Sequence, residues 1–318
     1  MATIQTILAK YGPKIDNLDL ELIIAHELKK SREFVLSYPE YRISENLIRQ
    51  LAEKIARRRR GEPLAYILGH KEFYGLDFKV TKDTLIPRPE TELLAELALR
   101  KIPTYAKASA GKQETLLRQG FGGQARNKKQ KVGIVDVGTG SGNIIISIAK
   151  AIESKNLLHA SCYMLHGIDI SEKALKVASY NAKKHNLSKI KFVKSNLLGY
   201  FLKNNKTIKQ FNNLIILANL PYLSKEIYSA TLPTVKNFEP KSALYSPKAG
   251  LAHYEKLLKQ IANLKNSCYT LQVSCFIELS PEQKKNLTFL IKKILPSAKI
   301  EFKKDLAGKW RVCKVSLA

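Results

Sequence analysis

The chain has 318 residues, 45% of them hydrophobic and 25% charged, enough for a large core and, by length, two domains. No apolar run approaches ~20 residues, which excludes a membrane-spanning helix, and no signal-peptide core leads the chain, so a cytoplasmic protein is expected. The formal charge of +27 favours an anionic partner such as ribosomal RNA, but scattered lysines supply most of it, so charge alone decides little.

Residues 1–68 read as a helical domain. Asp19 to Lys29 places Leu22, Ile23, Ala25 and Leu28 on one side, and Ser44 reads as an N-cap before Leu47, Ile48, Leu51 and Ile55. Arg57 to Arg60 close that helix, where positive charge complements the macrodipole; an RNA contact is the sharper reading of the same run. Residues 69–88 change to short β segments around Gly75, with Phe73, Tyr74, Leu76, Phe78 and Val80, and read as a hairpin linker. Pro89 then suits the first turn of a helix whose buried face is Leu93, Leu94 and Leu97.

The third unit is expected over 89–318, with an insertion at about 104–131 that is rich in Gly, Gln and Lys and contains Gly122-Gly123-Gln124. Strands and helices alternate beyond it. Val132 to Val137, Tyr163 to Ile168, Ile190 to Lys194 and Leu214 to Ala218 read as strands, Asn143 to Ile152 and Glu172 to His185 as helices. Leu251 to Leu264 and Pro281 to Lys293 are expected helices around a strand from Tyr269 to Leu279, and Lys299 to Lys303 and Arg311 to Val315 read as strands. Such alternation predicts a doubly wound α/β sheet, mostly parallel, with an antiparallel C-terminal hairpin at its edge. Cys162, Cys268, Cys275 and Cys313 form no C-x-x-C pair and have no His at ligand spacing; reduced, half-buried thiols and no metal site are expected.

Four strand ends carry the chemistry. Gly138-Thr139-Gly140-Ser141-Gly142 follows the first, and glycines there let the backbone pass close to a ligand. The spacing is G-x-G-x-G, and Asn143 stands where a dinucleotide fingerprint would have its third glycine, so G-x-G-x-x-G is not met. Preceded by Asp136, this loop suits a compact cofactor carrying an ammonium and a carboxylate, and S-adenosylmethionine is such a molecule. Asp169, at the end of the next strand, can accept both ribose hydroxyls; Asn196 and Leu197, after the third, are placed for the edge and face of an adenine. The fourth strand ends in Asn219-Leu220-Pro221-Tyr222. Proline stops the ladder there, and an amide, a freed carbonyl and an aromatic face suit a flat group bearing NH2.

With these residues in view, the chain resembles the HemK-like protein-(glutamine-N5) methyltransferases of peptide chain release factors. The most specific match runs from Gly61-Glu62-Pro63-Leu64-Ala65-Tyr66-Ile67 through Glu72-Phe73-Tyr74-Gly75 to Leu85-Ile86-Pro87-Arg88-Pro89-Glu90-Thr91-Glu92. Phe238-Glu239-Pro240 and Asp305-Leu306-Ala307-Gly308 match further patterns. The resemblance implies a Rossmann-type seven-stranded methyltransferase sheet behind a helical substrate-recognition domain, with class I release factors as partners. It implies that Gly138 to Gly142 cradle the methionine part of S-adenosylmethionine, Asp169 holds the ribose and Leu197 lies against the adenine. Asn219 to Tyr222 would hold the glutamine of a Gly-Gly-Gln motif, its two N–H groups accepted by Asn219 and the Leu220 carbonyl while Tyr222 stacks on the amide.

Three positions depart from the family pattern. Leu220 replaces the first proline of Asn-Pro-Pro-Tyr, Asn196 replaces an Asp, and Tyr245-Ser246-Pro247 replaces a more acidic, Gly-rich turn. The second reading is an adenine N6-methyltransferase acting on ribosomal RNA or DNA, because Asn-Leu-Pro-Tyr also resembles the ribosomal RNA adenine dimethyltransferases. A catalytically dead ribosome adaptor is the non-enzymatic reading, opposed by the intact glycine loop, Asp169 and Asn219. The Gly122-Gly123-Gln124 tripeptide reads as chance in a biased segment rather than a self-methylation site.

Overall fold

The computed structural model describes residues 2–102, 131–154 and 163–318. The expected insertion, with Gly122-Gly123-Gln124, and Cys162 lie outside them, except that Lys131 already opens a strand.

Capping and spacing build the helical part as anticipated. Ser44 Oγ accepts from Leu47 N at 3.4 Å and starts the helix Glu45–Arg59, whose Leu51 and Ile55 are buried. Asp16 caps Asn17–Leu28 in the same way; Ile23 and Ala25 are buried as expected, but Leu20 and Ile24 complete that face, and Leu22 and Leu28 are only partly buried. Helices Ile4–Tyr11, Arg32–Ser37 and Leu64–Leu68 enclose one shared apolar core with these residues, where each buried Leu or Ile contributes about 1.5–3 kcal/mol. A two-residue ladder, β1 (Ala2–Thr3) with β2 (Arg42–Ile43), ties the start of the chain to this bundle.

The hairpin expected within 69–88 is present, as β3 (His70–Phe73) and β4 (Leu76–Lys79). Tyr74 and Gly75 both take positive φ, the backbone of a two-residue turn whose twist matches paired strands. Phe73 and Phe78 are buried in an edge-on pair against the main sheet. Asn181, itself buried, accepts from Lys79 N at 2.8 Å and donates to the carbonyls of Lys79 and Ser141, so one amide fixes the hairpin to the glycine loop.

The main sheet contains β5 (Lys131–Val137), β6 (Tyr163–Asp169), β7 (Ile190–Lys194), β8 (Phe211–Ala218), β9 (Gln272–Glu278), β10 (Lys299–Lys304) and β11 (Trp310–Leu317). Its order is β10-β11-β9-β8-β5-β6-β7; β5 to β9 pair in parallel, and β11 runs antiparallel between β9 and β10. The seven-stranded Rossmann-type sheet with its C-terminal hairpin is therefore present. Strand β8 is central because helices cover both faces: Leu214, Ile216 and Ala218 enter one core, Ile215 and Leu217 the other.

Several boundaries differ from expectation. Strand β8 begins at Phe211 instead of Leu214, and β9 at Gln272 instead of Tyr269. Pro281 to Gln283 form a 3₁₀ turn before the helix Lys284–Ile294, since Pro281 supplies no N–H and Ser280 pairs with Gln283 in a capping box. Cys275 and Cys313 are fully buried rather than half-buried, because both sit on inner strands. No helix among the described residues is long and apolar enough to cross a membrane.

Candidate functional site

The carboxyl ends of β5, β6, β7 and β8 meet at one cleft of about 560 Å³. Gly138, Thr139, Gly140, Ser141, Asp169, Asn196, Leu197, Asn219, Leu220 and Pro221 line it, so the structure brings together most of the expected site. Gly142 and Tyr222 are not on its wall.

The glycine loop divides into two jobs. Gly140 has φ +53° and only the Gly138 carbonyl near the position a Cβ would take, 4.0 Å away, so backbone lies bare toward the cleft. Gly142 has φ +81°, but a Cβ there would stand 2.9 Å from Ile146 Cδ1 and 3.1 Å from Ala178 Cβ. It permits close helix packing rather than ligand approach. Asp136 is also behind the loop and not on the cleft wall. Alternation along β5 points it toward the helix Asn143–Ser154, where it accepts from the Thr139 hydroxyl at 2.6 Å and burial pushes its carboxyl up to about 7.

Asp169 is held for acceptance. Its Oδ2 takes the Gly140 N–H and its Oδ1 the Ser171 N–H, each at 2.9 Å, and each oxygen keeps a further acceptor direction. Burial raises its carboxyl while these backbone donors pull it back. Leu197 is a non-glycine residue at φ +54°, a conformation costing about 1–3 kcal/mol. The Gln260 side chain over-determines that turn, accepting from Leu198 N at 2.7 Å and donating to the Asn196 carbonyl at 3.3 Å.

At the end of β8, Asn219 Nδ2 donates to Thr91 Oγ1 at 2.9 Å, which leaves Oδ1 as the uncommitted end of the amide. The Leu220 carbonyl, expected to be free, faces the Tyr254 hydroxyl at 3.2 Å. That hydroxyl is 2.5 Å from the Glu278 carbonyl and has one proton, which the nearer acceptor takes, so Leu220 keeps acceptor capacity. Tyr222 corrects the sequence reading. Its ring packs on the core, its hydroxyl donates to Glu278 Oε1 at 3.3 Å, and its carbonyl accepts from Gln283 Nε2 at 2.8 Å. A buried carboxyl drew the tyrosine inward, away from the stacking position; burial and that carboxyl raise the phenol above its ordinary range.

Sequence reasoning gave no role to Thr91, Arg88, Glu239, His253 or Glu278. Arg88 reaches the cleft and pairs with Glu239, whose buried carboxylate also accepts from Ile86 N at 3.2 Å. Two matched stretches, Ile86–Glu92 and Phe238–Pro240, are thus one ion pair in space, and their pairing was the only signal available. His253 lines the cleft with Nδ1 at 2.8 Å from the buried Ser246 Oγ, and burial and Lys256 lower its pKa. Of the arginine run, Arg57 pairs with Glu62 and Arg58 with Asp19, and Arg59 and Arg60 are exposed. Among the described residues no group of three or more His, Cys, Asp or Glu could hold a metal ion.

Family comparison bears on this geometry. A model described as the PrmC N-terminal domain matches residues 2–69, and a methyltransferase domain model matches 128–293. The release factor glutamine methyltransferase of Clostridium botulinum is 32% identical over 303 residues, 93% of this chain and 90% of that protein. This chain belongs to the release factor glutamine methyltransferase family. The Fusobacterium nucleatum member is 33% identical over 255 residues; the matched region is 79% of this chain and 61% of that longer relative. Among solved structures, the N-terminal domain of human METTL16 is similar at 14% identity and TM-score 0.46, covering 92% of each chain. In this chain Arg88, the more exposed partner of Glu239, lines the cleft that the strand ends form, beside Lys82 to Leu85 from the segment that follows the hairpin.

Proposed function

We propose that this protein transfers the methyl group of S-adenosylmethionine to the side-chain amide nitrogen of the glutamine in the Gly-Gly-Gln motif of class I peptide chain release factors. The observation that carries the reading is Asn219, whose amide oxygen is left uncommitted by Thr91 on the wall that Gly138 to Ser141 also form.

The wall fits that cofactor. Bare backbone at Gly140 admits the methionine part, both Asp169 oxygens retain an acceptor direction for a ribose diol, and Leu197 offers an apolar face with Asn196 beside it. When bound, the cofactor supplies an electrophilic methyl group on a sulfonium. The protein's own part is positional. Asn219 Oδ1 and the Leu220 carbonyl would each accept one N–H of the substrate amide, fixing the orientation of a nitrogen that is otherwise a poor nucleophile. Pro221 withholds an N–H from this turn, and Tyr222 braces it from behind through Glu278 and Gln283. No side chain on the wall is required as a strong base, since the proton can leave after transfer.

The helical segment 1–68 is assigned to recognition of the release factor, 69–88 to the link and 89–318 to catalysis, in the cytoplasm where translation runs. Contact with ribosomal RNA is a subsidiary reading that rests on the overall charge and on exposed Arg59 and Arg60.

The test is methyl transfer from labelled cofactor to a purified release factor, with the modified residue located by mass spectrometry, beside naked ribosomal RNA. A methyl on the Gly-Gly-Gln glutamine is expected. Label on RNA adenine with none on the protein would overturn the reading.

A further inference from the structure

His253 meets the cleft from a helix rather than from a strand end. It lies in the first turn of Ala252–Ser267, and its Nδ1 stands 2.8 Å from the Oγ of Ser246, which is fully buried. Ser246 is in turn stitched to the turn that carries Asn219. Its N–H donates at 3.0 Å to the carbonyl of Leu223, the residue after Tyr222, and Leu223 N donates to the Leu244 carbonyl at 2.9 Å. Tyr245-Ser246-Pro247 is also a stretch where this chain departs from the family pattern.

The contacts of Ser246 decide which imidazole nitrogen carries a proton. Among the described residues its Oγ has two partners, His253 Nδ1 and, at 3.5 Å, the His253 main-chain N–H. An N–H only donates, so the buried hydroxyl finds an acceptor for its own proton in Nδ1 alone. Nδ1 is then bare, and the ring proton sits on Nε2. A doubly protonated ring carries a proton on Nε2 as well, so the assignment does not depend on the charge of the imidazole. Nε2 has no partner among the described residues and is not a sealed atom, and His253 lines the cleft. A fixed N–H donor thus opens on the cleft.

We propose that this Nε2–H is a substrate-recognition group, donating to a main-chain carbonyl of the peptide that bears the target glutamine. The inference rests on the glutamine-methylating reading above. Two glycines before the glutamine present no side chain, so they are recognised through their backbone. The neighbouring wall has spent its main-chain donors: Pro240 and Pro247 have no N–H, and those of Ala243 and Ala252 go to the Pro240 and Pro247 carbonyls at 2.8 and 3.1 Å. Lys256 lines the same cleft one turn on, but an ammonium is a strongly hydrated point charge matched to an anion, whereas a fixed imidazole N–H suits a neutral carbonyl. Through Ser246 and Leu223 the donor is held in register with Asn219 to Tyr222.

The experiment compares wild type with His253→Leu, His253→Gln and the double variant His253→Leu with Ser246→Ala. Each is assayed at steady state on a release factor, with Kd for S-adenosylhomocysteine by calorimetry. His253→Leu should raise KM for the release factor roughly 5- to 30-fold, the loss of one donor to a carbonyl left unpaired, with kcat and cofactor Kd little changed. His253→Gln, whose NH2 reaches about as far as Nε2, should recover most of that loss. The double variant leaves no orphaned hydroxyl and should show the same rise in KM, which decides the matter if the single variant does not fold. Nitrogen NMR of the wild-type protein should find Nε2 protonated. Wild-type KM in the leucine variants, a loss confined to cofactor Kd, or a bare Nε2 in the spectrum would overturn this inference alone. A wild-type enzyme that transfers nothing to a release factor would overturn the functional reading and this inference together.

Discussion

Asn219 and Thr91 are 128 positions apart, yet the amide of one donates to the hydroxyl of the other at 2.9 Å. One residue follows the central strand and the other closes the 3₁₀ turn Pro89–Thr91, so the Asn219 amide is oriented by a segment outside the sheet. Removing the amide should therefore separate catalysis from cofactor binding. Asn219→Ala is expected to lower kcat on a release factor by roughly 100-fold or more, with cofactor affinity by calorimetry close to wild type. Near-normal turnover would remove Asn219 from the reaction.

Asp169 predicts the opposite split. Asp169→Ala deletes the acceptor assigned to the ribose and also releases the Gly140 N–H. Hydrogen bonds to a charged group are worth about 1.5–3 kcal/mol, so the cofactor Kd should rise roughly 10- to 100-fold. Titration of the variant with S-adenosylhomocysteine checks this, and an unchanged Kd would place the ribose elsewhere.

Gly142 should behave as a packing residue. Gly142→Ala forces a Cβ into Ile146 and Ala178 at a left-handed backbone position. The expected cost is about 1–3 kcal/mol in urea unfolding, with Kd for cofactor little altered in the folded fraction. A large affinity loss at normal stability would return Gly142 to the ligand wall.

The buried Asp136 carboxyl gives a pH dependence of stability whose sign is fixed. Its ordinary value is 3.8, and burial raises it to about 7 in the folded chain. Between those values the folded form keeps a proton that the unfolded form has released, so this stabilisation is complete below 3.8 and lost as pH rises through about 7. Asp136→Asn should flatten the fall in urea midpoint between about pH 4 and about pH 7. An equally steep fall in the variant would assign the dependence to another group.

Arg88→Ala leaves the Glu239 carboxylate buried with only the Ile86 N–H. Arg88 is itself partly exposed, which reduces the usual 3–5 kcal/mol for breaking a buried pair to about 2 kcal/mol. Double substitution to Arg88→Met with Glu239→Leu should recover part of that stability while still impairing turnover, because Arg88 also lines the cleft.

Much of this architecture is written locally. The period-two and period-3.6 patterns, the Ser44 cap, the turn at Tyr74-Gly75 and the proline after β8 are each encoded within a few residues. They sufficed to identify the strands and to bring Gly138, Asp169, Leu197 and Asn219 to one edge, since parallel strands joined by helices all end on the same side. Side-chain direction at those ends was decided by partners remote in the chain. Tyr222 turned inward because Glu278 offers a buried acceptor, Asn219 was oriented by Thr91, and Gly142 was claimed by Ala178 on another helix. Backbone period is a short-range property, whereas the rotamer of a polar group at a strand end is chosen by whichever donor or acceptor the completed packing leaves beside it.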